Sequence, residues 1–335
     1  MATLPQMLQA LIPPTQRQTA AEVTEALDLG SGDVAGKRSG FLIMLTLAGI
    51  VAIAGVLTDS TATVIGAMII APLGTPILAI GLGIVTGHLS LVVRSILWVL
   101  AGLVIVIVLG LLFSLFVSTP QSLETNSQVV GRTSPSFMDL VAALATGFAG
   151  GFAMCRKDLS AVLPGVAIAI SLVPPLGVVG VCAGQGLWAD ALGALWLFLS
   201  NVVALVIAGS IVFTIAGYAR DPGSSPVANR RRAYVIVTAL TIIIAIPLAV
   251  NSVVSIALAR WSVTIQDSTT DWLGDLDSAR IYSVDWTGAT ATVVITTDDG
   301  TTPSVDELRD SLASAIPSFV GVVIDVGQGK EVRVQ

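Results

Sequence analysis

The sequence has little of what a soluble enzyme needs. Only 11% of its 335 residues are Asp, Glu, Lys or Arg, against about a quarter in an ordinary soluble domain. A single histidine, His88, excludes a His-rich metal cluster and the H-E-x-x-H motif, and neither G-x-S-x-G nor G-x-x-x-x-G-K-[ST] occurs. The sequence therefore argues against an enzyme and calls for no cofactor. The two cysteines, Cys155 and Cys182, fall near opposite ends of one apolar run, which makes a disulfide between them geometrically unfavourable. They read as buried thiols. No short basic leader precedes the first long apolar run, which begins at Phe41, so a cleaved signal peptide is not expected. The net charge of −6, with acids concentrated at the two ends of the chain, disfavours nucleic acid as a partner.

What the chain has instead is apolar length. Hydrophobic residues make up 54% and the mean hydropathy is +0.89, the signature of a polytopic membrane protein whose principal partner is the lipid bilayer. Apolar runs fall at about 41–57, 61–86, 89–118, 137–154, 160–183, 188–216 and 233–258, each long enough to cross a hydrocarbon core about 30 Å thick. Seven crossings place Lys37 and Arg38, Arg94, Arg156 and Lys157, Arg220 and Arg230 to Arg232 on one side, which is expected to be the cytoplasm. Treating the second and fifth runs as re-entrant hairpins would put Arg156 and Lys157 outside. The expected layout is a cytoplasmic N-terminal segment (1–38) with an amphipathic helix over Thr19–Leu29, a first membrane repeat (39–118) and an external loop (119–136). A second repeat (137–217), a basic cytoplasmic loop (218–232), a seventh helix (233–260) and an external soluble domain (261–335) follow. A partly disordered tail is the alternative reading of residues 1–38.

The organising stretch is Asp59 to Gly87, D-S-T-A-T-V-I-G-A-M-I-I-A-P-L-G-T-P-I-L-A-I-G-L-G-I-V-T-G, an apolar run interrupted by Pro72, Gly74 and Pro76. Proline removes a backbone donor and clashes with the preceding turn, so a helix is expected to stop before Pro72 and restart near Pro76. The same design recurs 99 positions on (158 − 59 = 99), where Asp158 to Gly186 aligns without a gap and Pro174 and Pro175 fall on Thr75 and Pro76. Over Asp59 to Gly110 that register gives eleven identities, among them Asp59, Pro76, Gly66, Gly81, Gly87 and Gly110. Each copy holds three crossings, and an odd number forces opposite orientations. The expected fold is mainly α: a helical membrane bundle with a 3+3 inverted repeat and discontinuous helices, plus a small C-terminal α+β domain. Inverted repeats with matched Gly/Pro breaks point to secondary transporters or channel-like proteins for a small ion or polar solute, with the site at the breaks near the midplane.

The expected substrate-binding residues are Pro72, Thr75, Pro76, Ser171, Pro174, Pro175 and Asn201. Unwound backbone over Ala71–Thr75 and Leu172–Pro174 is tolerable at membrane depth only where it faces protein or a wet cavity. Half-helix starts would offer positive dipole ends to an anion, and half-helix ends would offer carbonyls to a cation. For Ser171 and Asn201 the competing reading is interhelical hydrogen bonding. Asp59 and Asp158 are either helix N-caps or gate and ion-access carboxylates, one on each side. Gly147, Gly150 and Gly151 suit close helix packing, and Gly-rich spans suggest a homo-oligomer.

The run T-D-S-T-A-T-V-I-G-A-M-I-I-A-P-L-G-T-P-I, followed by G-V-A-I-A-I-S-L-V-P-P-L-G-V-V-G and L-F-L-S-N, resembles the hydrophobic membrane family known as domain of unknown function 389 over about 39–217. The resemblance implies a membrane fold and supplies no catalytic residues. Beyond Arg260 the chain turns polar, with alternating runs A-R-I-Y-S-V-D-W and A-T-V-V-I-T and a helical S-V-D-E-L-R-D-S-L-A-S-A-I. Trp261, Ile265, Trp272 and Leu276 share a helical face, and Asp298-Asp299-Gly300 reads as a turn rather than a cation loop. A membrane scaffold or sensor whose C-terminal domain binds a partner is the alternative function.

Overall fold

The computed structural model describes residues 12–117, 121–133, 137–159, 172–220, 260–274, 279–287, 290–297 and 303–328, with isolated positions at 235, 246, 253, 257 and 258. Most of the seventh apolar run, Arg230 to Arg232, Ser171, the first half of the second broken run and the Asp298-Asp299-Gly300 cluster lie outside them. The chain divides into two compact units, 1–251 and 252–335.

The first unit opens with α1 (Ala20–Leu27), fixed by a capping box. The Thr19 hydroxyl accepts from the Glu22 amide at 3.2 Å, and the Glu22 carboxylate accepts from the Thr19 amide at 2.7 Å. Val23 and Leu27 face the core, as their spacing predicts. Next come α2 (Val34–Leu57), the bent pair α3 (Thr61–Ile70) and α4 (Gly74–Thr86), α5 (Leu89–Ser114), a short α6 (Ser127–Thr133) and α7 (Phe137–Cys155). After residues 160–171 the chain resumes as α8 (Val173–Gly184) and α9 (Trp188–Ile215). Among the described residues α2, α5, α7 and α9 are long and apolar enough to cross a membrane, and α3–α4, bent by 48°, forms a fifth candidate span.

Polar contacts mark two opposite rims. At the first, the N-terminal segment joins the starts of α2 and α5 to the ends of α7 and α9. Arg38 donates to the Leu29 carbonyl, Arg94 pairs with Asp28, the Gln18 amide donates to the Cys155 carbonyl at 2.9 Å, and Arg17 donates to the Ala216 carbonyl at 2.7 Å. At the second, Asn126 donates to the Val56 carbonyl and Gln128 to the Thr61 hydroxyl, both at 2.8 Å, while Gln185 at the end of α8 donates to the Ser114 carbonyl at the end of α5. The broken pair therefore starts at the second rim, at Thr61, and ends beside the start of α5 at the first. It runs from rim to rim rather than doubling back.

The helices interleave. α4 packs on both α5 and α9, α8 packs on α5, α9 and α2, and α7 lies along α9. Two crossings are close enough to require glycine. A Cβ on Gly180 of α8 would fall 2.7 Å from the Gly110 Cα of α5, and one on Gly81 of α4 would fall 3.1 Å from the Val206 carbonyl of α9. Gly147 and Gly151 likewise let α7 approach α9.

In the second unit, residues 260–273 form helix α10. It precedes β1 (Arg280–Thr287), β2 (Thr290–Thr297), α11 (Val305–Ala315) and β3 (Gly321–Gln328). β1 and β2 are antiparallel, whereas β2 and β3 are parallel with α11 as the crossover. Strict alternation buries Ala291, Val293 and Ile295 of β2 against Ile265, Leu273, Leu308 and Leu312. Of the anticipated α10 face, Ile265 is fully buried, Trp272 donates to the Ser304 carbonyl and Trp261 packs edge-on against Phe319. Leu276 lies outside the described residues.

Candidate functional site

The first break has a local cause. Proline disfavours helical backbone in the residue before it, and Ala71, just ahead of Pro72, is extended with ψ 123°. α3 therefore stops at Ile70. The chain turns through Pro72 and Leu73, the Thr75 amide donates to the Pro72 carbonyl at 3.2 Å, and α4 restarts at Gly74 with Pro76 at its third position. The restart comes two residues before the proline expected to open it. The unwound backbone is accordingly Ala71–Leu73, shorter than the anticipated Ala71–Thr75.

The helix beyond Leu172 begins in a similar way. α8 starts at Val173, with Pro174 and Pro175 at its second and third positions and Leu172 as its N-cap residue. Gly74 and Val173 are 99 residues apart (173 − 74 = 99), so both half-helices begin at equivalent places in the duplicated register. Neither start has a side-chain cap. Each is instead buried among apolar side chains: Leu73, Ile77, Leu172 and Leu176 are at most 1% exposed, and all four belong to one hydrophobic cluster. The first N–H groups of a helix lack intrahelical partners, and proline removes one such donor from α4 and two from α8. What remains is a pair of positive helix ends in apolar surroundings.

The other anticipated residues distribute as follows. Thr75 is half-buried at the first break, beside buried Pro76. Asn201 is buried in α9, the helix that packs on both half-helices, at 1% exposure. It occupies the position 99 residues after Gly102 (201 − 102 = 99), whose own neighbour is Leu73.

Asp59 is not the N-cap of α3; Ser60 fills that role, its hydroxyl accepting from the Thr63 amide. Asp59 instead closes α2. Its backbone is left-handed, φ 51°, and the Asp59 and Ser60 amides donate to the Val56 and Gly55 carbonyls at 3.1 and 2.8 Å. Its carboxylate accepts from the Ser127 hydroxyl at 2.6 Å and the Gln128 amide at 3.1 Å, pinning the start of α6. The Ser127 hydrogen bond, reinforced by the Gln128 amide, holds the Asp59 carboxyl below the usual aspartate range. Asp158 follows α7 and pairs with Arg156 at 2.7 Å, which lowers its pKa in the same direction. Both carboxylates thus lie at rims with protein partners. The residues that sequence reading passed over are Asn126, Ser127 and Gln128, whose partners come from about 70 residues away.

Residues 68–207 match a family model described as a domain of unknown function, DUF389. That segment is similar to the DUF389 family. It includes both half-helix starts and Asn201, whereas the second unit lies outside it. An uncharacterised protein of Methanocaldococcus jannaschii is 34% identical over 210 residues, covering 61% of this chain and 64% of that relative. The chain thus spans less than two thirds of the curated relative it matches. No solved structure matches. The matched segment carries both half-helix starts, and neither comparison assigns them an activity.

Proposed function

We propose that the protein is a secondary transporter or channel-like membrane protein for a small ion or polar solute, with its site at the two broken helices. One observation carries this reading: two half-helix starts, Gly74 and Val173, occupy equivalent positions in a duplicated register and are buried in one cluster. Irregular backbone at membrane depth is tolerated where it faces protein or a cavity, and paired broken helices are how transporters place dipole ends around a solute. Pro72, Thr75, Pro76, Pro174, Pro175 and Asn201 would line the site, with Ser171 contributed by the segment before α8.

The reading includes a 3+3 inverted repeat, and the contacts support it pair by pair. Gly81 approaches Val206 and Ser210, while Gly180 approaches Ile107 and Leu111; adding 99 to Gly81 and to Ile107 gives Gly180 and Val206. The turns that follow also correspond, with Gly87 at φ 76° and Gly186 at φ 78°. Each half-helix is therefore clasped by the long helix of the other copy. We further propose that the N-terminal rim is cytoplasmic, that Asp59 and Asp158 act at the two mouths, and that the protein is a homo-oligomer in the cell membrane.

Flux of labelled small anions, cations and amino acids into liposomes containing the purified protein tests the reading. Wild type should exceed protein-free liposomes for at least one solute, and Pro76→Ala and Pro175→Ala should reduce that flux while melting cooperatively. Wild-type flux at background across the panel, or full flux in both variants, would overturn it. A scaffold or sensor is the second reading, favoured by a cleft of about 360 Å³ between α11 and β3, lined by Leu308, Arg309, Leu312 and Ile324 among others.

A further inference from the structure

Residues 12–29 lie across the first rim, and what they cover is the end of a half-helix. α4 begins at the first break and is buried from Pro76 to Thr86, its last residue, at that rim. α1 packs on it. Val23 and Leu27 of α1, with Ile12 and Leu29 to either side, are at most 7% exposed and join the hydrophobic cluster that holds Leu73 and Leu172. The opposite face of α1, which carries Glu22 and Glu25, is exposed. A route from the breaks to the first rim along α4 therefore ends beneath α1.

Three features make this cover detachable. At 8 residues α1 is shorter than a helix that holds in water by itself, so it depends on the burial of Val23 and Leu27. It is joined to α2 through Gly30-Ser31-Gly32, and Gly32 is left-handed at φ 67°, a pivot that residues with a Cβ resist. Its latch is the pair of Asp28, 4% exposed, with Arg94 of α5. The Arg94 Nε is buried there without a partner, and an unbonded buried donor costs stability in the closed state. The other ion pair of α1, exposed Glu22 with Lys157 at 3.7 Å, is screened by water and adds little.

We propose that residues 12–29 form a plug that closes the first-rim mouth of the broken-helix site, latched by Asp28 and Arg94 and pivoting at Gly30–Gly32. The proposal rests on the transport reading for the site that the plug guards. Gly30 sets the latch: a Cβ there would fall 2.6 Å from the Arg94 Cζ, so the guanidinium docks only against glycine. Gly30 itself is not left-handed. Gly30→Ala therefore displaces the end of a flexible side chain and leaves the membrane helices as they are.

Two added cysteines in the full chain in detergent read the plug: Val23→Cys on the buried face of α1, and Thr75→Cys, half-buried at the first break. Each is timed against a small charged maleimide, with the same protein lacking the added cysteine giving the background from buried Cys155 and Cys182. Gly30→Ala and, separately, Arg94→Gln should speed modification of both probes about tenfold, the change for about 1.4 kcal/mol of lost closure. Melting should stay cooperative. An unchanged rate at Val23→Cys in both latch variants would show that α1 does not lift. A faster Val23→Cys with an unchanged Thr75→Cys would show that it lifts without opening a way to the break; either result overturns the proposal. Solute flux plays no part in these rates, so the plug and the transport reading fail separately.

Discussion

Asp59 joins two jobs that are usually divided. Its left-handed backbone ends α2, a conformation that short polar side chains tolerate better than other non-glycine residues, and its carboxylate anchors α6. Because its folded pKa is depressed below the ordinary value of about 3.9, its contribution is present above that value and is lost as pH falls through the lower folded one. A spin label at Gly131→Cys, where an added side chain meets open space, reports on α6. Its mobility should rise as pH drops below about 4, and in Asp59→Ala it should be high throughout with no pH step. Asp28 makes the complementary case at the other rim. It is 4% exposed and accepts from Arg94 and from the Gly30 amide. Truncating it leaves a half-buried guanidinium short of its partner, so Asp28→Ala should lose on the order of 1–3 kcal/mol in a melting experiment.

Among the elements, the α5–α8 crossing is the tightest contact tested by an added Cβ on both sides. A methyl on Gly180 meets Gly110 Cα, the Ile107 carbonyl and the Leu111 amide, all backbone atoms that cannot rotate away. Gly180→Ala should therefore push the helices apart and lose about 1–3 kcal/mol. Gly66, on the exposed face of α3, has nothing within 4 Å of its built Cβ. Gly66→Ala should gain about 0.5–1 kcal/mol by removing backbone freedom from the unfolded chain. Thermal unfolding of the two variants in one detergent checks the contrast; equal shifts would show that the crossing is not as close as drawn.

Considered as a whole, the first unit has two rims of different charge. Lys37, Arg38, Arg94, Arg156, Lys157 and Arg220 collect with the N-terminal segment, whereas Arg132 is the arginine of α6 at the opposite rim. Retention of basic residues on the cytoplasmic side predicts which rim is inside. In intact cells an impermeant thiol reagent should modify Gly131→Cys and spare Ala21→Cys until the cells are opened; the reverse pattern would invert the orientation. The homo-oligomer is checked by native mass across a dilution series in mild detergent, where a monomer at every concentration would exclude it.

The sequence by itself determined the elements whose causes are local. Apolar length set the long helices, Pro72 set Ala71 extended and ended α3, the Thr19–Glu22 pair capped α1, and alternation in β2 set its buried face. The 99-residue register also marked both half-helix starts in advance, to within two residues of Gly74 and Val173. What it left open was everything that depends on partners distant in the chain. Asp59 looked like a cap for the helix after it, because nothing local shows that Ser127 and Gln128 fold back onto it from 68 and 69 residues away. Gly81, Gly110 and Gly180 stood out only as matched letters, since a close crossing is a property of two surfaces and sequence displays one at a time. The packing of α4 on α9 and of α8 on α5 was likewise decided by tertiary structure: hydrophobic burial is non-directional, so apolar spacing marks which faces are buried but not against which helix.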